Sequence, residues 1–269
     1  MASSDLPGKG WILSTDFDGT LLDSNTPPRV DSKLTGWISA FRERGGIWTI
    51  NTGRELPYLT AGLRQSKMGI VPDYAIVVER EIYKFDHGDY EPVFPWFEQC
   101  CDHHAKIFEV HNHRWGDLKS WIATNASAVT YQDKYSPFSV IADDEEQASK
   151  IHRKMELAAQ DMEKIIYVHN TIYGRFAHED YHKGSALKEL SRINSIPIDR
   201  VISAGDHWND FSMFDNTISG YWIAPGNAIS DLKDHILKHP RGYVAKNTSS
   251  LGILEALSFF FPELQSEKI

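Results

Sequence analysis

The stretch Trp11-Ile12-Leu13-Ser14-Thr15-Asp16-Phe17-Asp18-Gly19-Thr20-Leu21-Leu22-Asp23 decides how this chain is read. An apolar run ends in two aspartates spaced i, i+2, followed at once by glycine. In a strand, successive side chains alternate faces, so Asp16 and Asp18 point one way and Phe17 points into the core. Two carboxylates on one face of a strand end repel each other and call for a cation. Hard oxygen ligands of this kind suit Mg²⁺. Gly19 lets the backbone turn just beyond the pair. One carboxylate can attack phosphorus while its neighbour handles the proton. Taken alone, the stretch is equally a strand closed by an Asp-Gly turn.

Three later segments change that balance. Gly46-Ile47-Trp48-Thr49-Ile50-Asn51-Thr52-Gly53-Arg54 is a second apolar strand that ends in a hydroxyl residue and a glycine. Thr52 can donate to a phosphoryl oxygen, and the Gly53 and Arg54 amides open the next helix, a terminus that favours anions. His182-Lys183-Gly184-Ser185 places a lysine at the start of a helical pattern. Helix N-termini mildly disfavour cations, so Lys183 suggests an anionic partner. In Arg200-Val201-Ile202-Ser203-Ala204-Gly205-Asp206-His207-Trp208-Asn209-Asp210 a strand ends in Gly-Asp, and Asn-Asp follows. That supplies a further oxygen ligand for a metal and groups for its surroundings.

Together these segments closely resemble the four motifs of the haloacid dehalogenase superfamily of phosphatases. The resemblance points to the branch holding Cof-type sugar phosphatases, sucrose-phosphate phosphatase, mannosyl-3-phosphoglycerate phosphatase and phosphomannomutase. It runs from Asp16 to Asp210, nearly the whole chain.

Composition sets limits. The chain has 269 residues, 41% hydrophobic and 24% charged, enough for a substantial core in one or two domains. A net charge of −9 argues against nucleic acid as a partner. It leaves room for a small phosphorylated substrate, because a metal and Lys183 would set the local field. The two cysteines, Cys100 and Cys101, are adjacent and poorly placed to bridge, which predicts a reducing, cytoplasmic setting. Residues 1–10 carry no export leader pattern, and no apolar run is long enough to span a bilayer. The chain is expected to be a monomer or homodimer with no membrane partner.

Strands are expected at 11–16, 46–51, 74–79, 200–204 and 219–224, with a short one near 243–245. Helices are expected at 30–44, 54–67, 184–194, 209–215, 227–238 and 250–261. This alternation implies an α/β fold, a Rossmann-like doubly wound parallel sheet with helices on both faces. The motifs then fall at the carboxyl ends of strands, where such sheets bind ligands. The texture changes between Ile82 and Phe176: a hairpin with an Asp86-His87-Gly88-Asp89 turn, helices near 95–109 and 115–123, then strands, a helix over 145–163 and a closing hairpin around His169-Asn170. Residues 82–176 are therefore expected to form an inserted α+β cap, with 1–81 and 177–269 as the catalytic core. The resemblance gives such caps the choice of substrate.

Roles follow from the chemistry and the resemblance together. Asp16 is the expected nucleophile, forming an aspartyl-phosphate, and Asp18 the acid and then the base. Mg²⁺ would sit among Asp16, Asp18 (through its backbone carbonyl) and Asp206, with Asp210 as ligand or in the outer shell. Thr52, Gly53, Arg54, Lys183 and Asn209 would hold the phosphate, and Lys183 counts with the catalytic groups. Gly226-Asn227-Ala228 matches the family's Gly-Asn-Ala helix start and is expected to serve as a helix N-cap, the alternative being a supporting role behind the site residues. The resulting function is a Mg²⁺-dependent phosphomonoester hydrolase acting on a small metabolite such as a sugar or polyol phosphate. A phosphotransferase or mutase on the same scaffold is the alternative. It needs a second phosphate clamp, and Arg114, Arg153 and Arg175 lie scattered in sequence. A non-catalytic phosphometabolite-binding protein is a third reading, opposed by the presence of every catalytic group.

Two clusters invite other readings. His103, His104, His111 and His113 could hold zinc, but lack cysteines or carboxylates at fitting spacing. Trp96, Trp115 and Trp121 could stack on a sugar, although large aromatics in a small domain are mostly core. One departure from the family matters. Where many Cof-type relatives carry Asn-Gly-Ala, this chain has Glu79-Arg80-Glu81. Arg80 is expected either in a surface ion pair with a neighbouring glutamate or against a second anionic group of the substrate.

Overall fold

A computed structural model describes residues 7–23 and 29–264. The first strand, β1 (Ile12–Thr15), is buried along its whole length. It pairs in parallel with β2 (Ile47–Asn51) on one side and with β10 (Val201–Ala204) on the other. Beyond β10 lie β11 (Tyr221–Ala224) and β12 (Gly242–Val244), and beyond β2 lies β3 (Tyr74–Val77), all parallel. An antiparallel hairpin, β4 (Glu81–Asp86) and β5 (Asp89–Pro92), closes the eight-stranded sheet in the order β12-β11-β10-β1-β2-β3-β4-β5. Apolar runs without alternation are what strands covered on both faces require.

Helices form where apolar residues recur every three to four positions. In α1 (Ser32–Glu43), Leu34, Trp37, Ile38 and Phe41 are buried, and Asp31 caps the helix by accepting from the Lys33 amide at 2.7 Å. Each such buried side chain stabilises by about 1.5–3 kcal/mol. The helices α2 (Leu56–Ser66), α6 (Lys183–Ile193), α7 (Ser230–Ile236) and α8 (Ser249–Phe260) follow the same logic.

Several boundaries move from those expected. The third strand ends at Val77 rather than 79, because Val78 (φ 44°) and Glu79 (φ 69°) adopt left-handed conformations. A β-branched residue there is a true outlier, held only where its surroundings over-determine it. The segment expected as a helix at 209–215 is a 3₁₀ stretch, Trp208–Met213. Helix α2 begins at Leu56 instead of 54. Helix α7 begins at Ser230, three residues after Asn227, whose side chain is used elsewhere.

The chain divides into two compact units, Met1–Val93 with Lys183–Ile269, and Phe94–His182. The insertion was expected over 82–176. The difference arises because Ile82 pairs with Ile76 and is fully buried, so the 81–92 hairpin extends the large sheet. At the other end, Ala177 and His178 still pair with Ile166 and Ile165.

The second unit has its own four-stranded antiparallel sheet, ordered β6 (Ala128–Tyr131), β7 (Ser139–Ala142), β9 (Tyr173–His178), β8 (Ile165–Asn170). Its helices are α3 (Trp96–Val110), α4 (Asn112–Asn125) and α5 (Glu145–Gln160). A core of Trp115, Phe138, Ile151, Met155, Tyr167 and Phe176 joins sheet to helices. Cys100 is buried and Cys101 exposed, and neither forms a disulfide. Among the described residues, no helix is long and apolar enough to cross a membrane.

Candidate active site

Four strand ends of the large sheet converge on one buried lysine. Lys183, at the first turn of α6, is fully buried, and its Nζ donates to Asp16 Oδ1 at 2.7 Å and to Asp210 Oδ1 at 2.6 Å. Asp16 lies just beyond β1, with its amide donating to Ala204 of β10 at 2.9 Å. No described residue donates to Asp16 Oδ2, so the lone pairs of that oxygen stay open. Asp210 is drawn under the β10 end because Gly205 has no side chain; a Cβ there would come within 2.5 Å of the Asp210 carboxyl carbon. Its second oxygen accepts from the amides of Asp206 and His207 at 2.9 and 3.0 Å. Both Asp210 oxygens are therefore already used.

Burial first, and then Asp210 and Asp206, push the Asp16 carboxyl well above the usual carboxylate range, with Lys183 opposing them. Burial alone would lower the Lys183 ammonium, but Asp16 and Asp210 outweigh it and hold it above its ordinary value. Asp206 is pushed up to about 7, chiefly by burial and next by Asp210. Its Oδ1 accepts from the Thr20 hydroxyl at 2.7 Å. The turn after Asp18 runs close beside it: Gly19 has φ 80°, and a Cβ there would sit 2.3 Å from Asp206 Oδ2. Glycine is thus required twice over, for conformation and for space.

Asp18 does not point at the lysine. Arg54 grips its carboxylate with two N–H groups, at 2.7 and 2.6 Å, while the guanidinium lies over the Phe17 ring. The amide of Arg54 donates to Thr52 Oγ1 at 3.2 Å, so it is turned into its own loop and does not open the helix as expected. The Thr52 amide is likewise spent on Ile76 of β3. Asn209, expected at the phosphate, donates its side-chain amide to Glu79 Oε1 at 2.8 Å.

Residues 9–261 match the profile of the family described as sucrose-6F-phosphate phosphohydrolase. The chain belongs to that family. It is a phosphatase of the haloacid dehalogenase superfamily. The fold is similar to the sucrose-phosphatase of Synechocystis solved with sucrose and phosphate, at 18% identity and a TM-score of 0.69, over 94% of this chain and 98% of that one. It is also similar to a superfamily phosphatase from Bacteroides thetaiotaomicron, at 18% identity and a TM-score of 0.64, over 97% and 98% of the two chains. A subclass IIB sugar phosphatase matches at 15% identity and a TM-score of 0.62, over 93% and 98%. No curated protein sequence is significantly similar to the chain.

The phosphatase brings Asp16, Lys183, Asp206 and Asp210 together and sets Asp18 with Arg54 beside them. Three residues take supporting places whose contacts the sequence spacing does not show. Asn51, at the end of β2, donates to the Lys183 carbonyl at 2.9 Å and so fixes where the lysine leaves the helix. Asn227 donates to the Gly19 carbonyl at 2.9 Å and accepts from the Ser249 amide at 2.8 Å. It ties the first motif loop to the first amide of α8 rather than capping α7, the helix that follows it in sequence. Glu79 is buried against Asn209, and Arg80 is buried too, which goes against the surface ion pair, one of the two places expected for it.

Among the described residues, Asp16, Asp206 and Asp210 are the side chains whose possible ligand atoms all lie within 4.8 Å of one another. The donors are hard oxygens, and two of the three carboxyls are raised by burial and, after it, by their carboxylate neighbours, a repulsion that a dication would relieve. The residues fit Mg²⁺. The histidines do not fit zinc. His104 has both ring nitrogens engaged, Nδ1 with the Cys100 carbonyl at 2.7 Å and Nε2 accepting from the His178 amide at 3.0 Å, and His111 Nε2 contacts the Glu163 carbonyl. Trp115 is core, and Trp96 packs on Tyr181 with ring centroids 4.9 Å apart.

Proposed function

We propose that this phosphatase hydrolyses monoesters of small sugars or polyols through an aspartyl-phosphate on Asp16, with Mg²⁺ as cofactor. The observation that carries the reading is the fully buried Lys183 bridging Asp16 and Asp210. It aligns one Asp16 oxygen and leaves the other to attack phosphorus. Asp16 Oδ2 forms the new bond to phosphorus as the bond to the leaving oxygen breaks, and Asp18 gives that oxygen a proton. Asp18 then takes a proton from water, whose oxygen displaces Asp16 and releases phosphate. Asp16, Asp206 and the Asp18 carbonyl are the groups that would hold Mg²⁺, which supplies positive charge against the phosphoryl oxygens. Proximity would add Asp210, but its three hydrogen bonds, from Lys183 and from the Asp206 and His207 amides, assign it to positioning the lysine and the Asp206 loop. Substrate choice is assigned to the unit 94–182.

The test is phosphate release from a panel of sugar and polyol phosphates. Turnover with Mg²⁺ and none in EDTA is the expected result. Full activity in EDTA would refute the metal assignment.

Asp206 provides a second check that needs no turnover. Its carboxyl, ordinarily near 3.8, is raised to about 7 in the folded protein. Between those values the native state without metal holds a proton that the unfolded chain has released. Stability from this group is thus present at low pH and lost as pH rises toward about 7. A cation needs the deprotonated carboxylate. Added Mg²⁺ should therefore raise the melting temperature more at pH 8 than at pH 5; a larger shift at pH 5 contradicts the assignment.

The Arg54–Asp18 pair is about one-third exposed on each side, so it contributes little to stability, at most about 1 kcal/mol. Its two-pronged geometry instead fixes where Asp18 stands. Lysine cannot hold both oxygens. Arg54→Lys is expected to lower kcat by about 10- to 100-fold with little change in melting temperature. Steady-state kinetics with unchanged kcat would show that Asp18 needs no such placement.

A further inference from the structure

Trp121, the third tryptophan that could stack on a sugar, lines a cavity of about 450 Å³ within the unit Phe94–His182. Its walls come from α4 and α5, which run antiparallel side by side. Lys150 of α5 donates to the carbonyl of Asn125 at the end of α4. One turn further along α5, Lys154 holds its Nζ 5.8 Å from the centre of the Trp121 ring, one turn back along α4. Each helix lines the cavity with residues spaced i, i+3, i+4 and i+7, the spacing of a single face. On α4 these are Arg114, Asp117, Leu118 and Trp121. On α5 they are Lys154, Leu157, Ala158 and Asp161, the last ending the helix.

Leu118 and Ala158 belong to the core of the unit and form the floor. Around them stand two cations and two carboxylates. Opposite charges so close on helix surfaces ordinarily pair. Here, among the described residues, no ion pair or hydrogen bond engages the side chains of Arg114, Asp117, Lys154 or Asp161; the Lys154 ammonium has only the Trp121 ring. A ligand in the cavity must suit all four. An anion would meet the two carboxylates, and a cation the two basic groups. Arginine and lysine only donate and carboxylates only accept, whereas a hydroxyl does both. Trp121 is half-buried and Leu157 is 53% exposed, so together they offer apolar surface to the C–H face of a ring. The volume is that of a small-molecule site.

We propose that the groove between α4 and α5 is a binding site for a neutral sugar of one or two rings. Its hydroxyls accept from Arg114 and Lys154 and donate to Asp117 and Asp161, and a ring face lies against Trp121. The site contains none of the phosphatase residues and does not depend on the reaction proposed above.

The test follows the indole N–H of Trp121 by NMR in the nitrogen-labelled full chain, its signal assigned by its absence from Trp121→Phe. Glucose and maltose are the neutral probes; glucuronate and protonated glucosamine are the charged ones. At least one neutral probe is expected to shift the signal saturably, with a Kd of about 1–10 mM, and the charged probes to bind about threefold more weakly or worse. Lys154→Met and Asp117→Leu should each weaken the neutral sugar by about tenfold or more, because each removes a charged hydrogen-bond partner. The double variant Asp117→Asn/Asp161→Asn keeps the side-chain sizes and leaves the two cations unopposed. It should reverse the order, with glucuronate binding more tightly than glucose. The same spectra show that each variant is folded.

The absence of a saturable shift with either neutral sugar, up to on the order of 100 mM, overturns the proposal. A wild type that prefers glucuronate or glucosamine overturns it as well. So does a sugar affinity that either single variant leaves unchanged, which would place the binding elsewhere on the chain, or a double variant that keeps the wild-type order.

Discussion

Replacing Asp16 by asparagine should lower kcat by at least about 10⁴-fold while the protein stays folded. The amide matches the carboxylate in shape, and its oxygen can still accept from Lys183, but it cannot attack phosphorus. The metal-free variant should be at least as stable as wild type. Burial already holds the Asp16 carboxyl far above its usual range, so removing it removes a group that the native state tolerates poorly. The stabilisation by Mg²⁺ should shrink in the same variant, since one proposed ligand has lost its charge. Single-turnover assays and thermal melts with and without Mg²⁺ check all three points. Activity above a few per cent of wild type would end the nucleophile assignment.

Lys183→Met should have the largest combined effect. It leaves Asp16 and Asp210, at 6% and 0% exposure, facing each other without a counter-charge. Breaking a buried pair of this kind costs about 3–5 kcal/mol, and the lost charge at the phosphoryl group should cost about 10³-fold or more in kcat. The stability effect should depend on pH in a stated direction. The wild-type ammonium is raised above its ordinary 10.5, so its contribution is complete below that value and lost only above it. In the variant, Asp16 rises further without its cation. Its protonated form is then the one the native state favours, and stability falls as pH climbs through that raised value. Urea midpoints of wild type and variant should lie closer together at pH 5 than at pH 8. A gap that widens toward acid would show that the lysine does not compensate these carboxylates.

Much of the fold and site was legible because it is local. Strand β1 and the Asp-x-Asp-Gly turn depend on residues within a few positions of one another, so period and glycine sufficed to place them. The same holds for α1, with its Asp31 cap and its buried face, and for Lys183 at a helix start. The cap boundary was misplaced because Ile82-Tyr83-Lys84-Phe85 alternates as any hairpin does. Only its pairing partner, Tyr74–Val77, shows which sheet it joins. Period marks a strand but does not name its neighbour.

The polar contacts of the site show the same division more sharply. Residue types, their order and their places at strand ends follow from the chain alone, because these are matters of local geometry. Which oxygen meets which nitrogen does not. Asp18 to Arg54 spans 36 positions, Asn209 to Glu79 spans 130, and Lys183 to Asp16 spans 167. Sequence spacing holds no information about a side chain's direction across such separations. Arg54 and Asn209 are expected at the phosphate from their place in the sequence, and the structure pairs them with the carboxylates of Asp18 and Glu79. Only the parallel order of β10, β1, β2 and β3 brings those strand ends side by side. In the low dielectric they share, a carboxylate left without a donor is costly, and that cost decides each pairing.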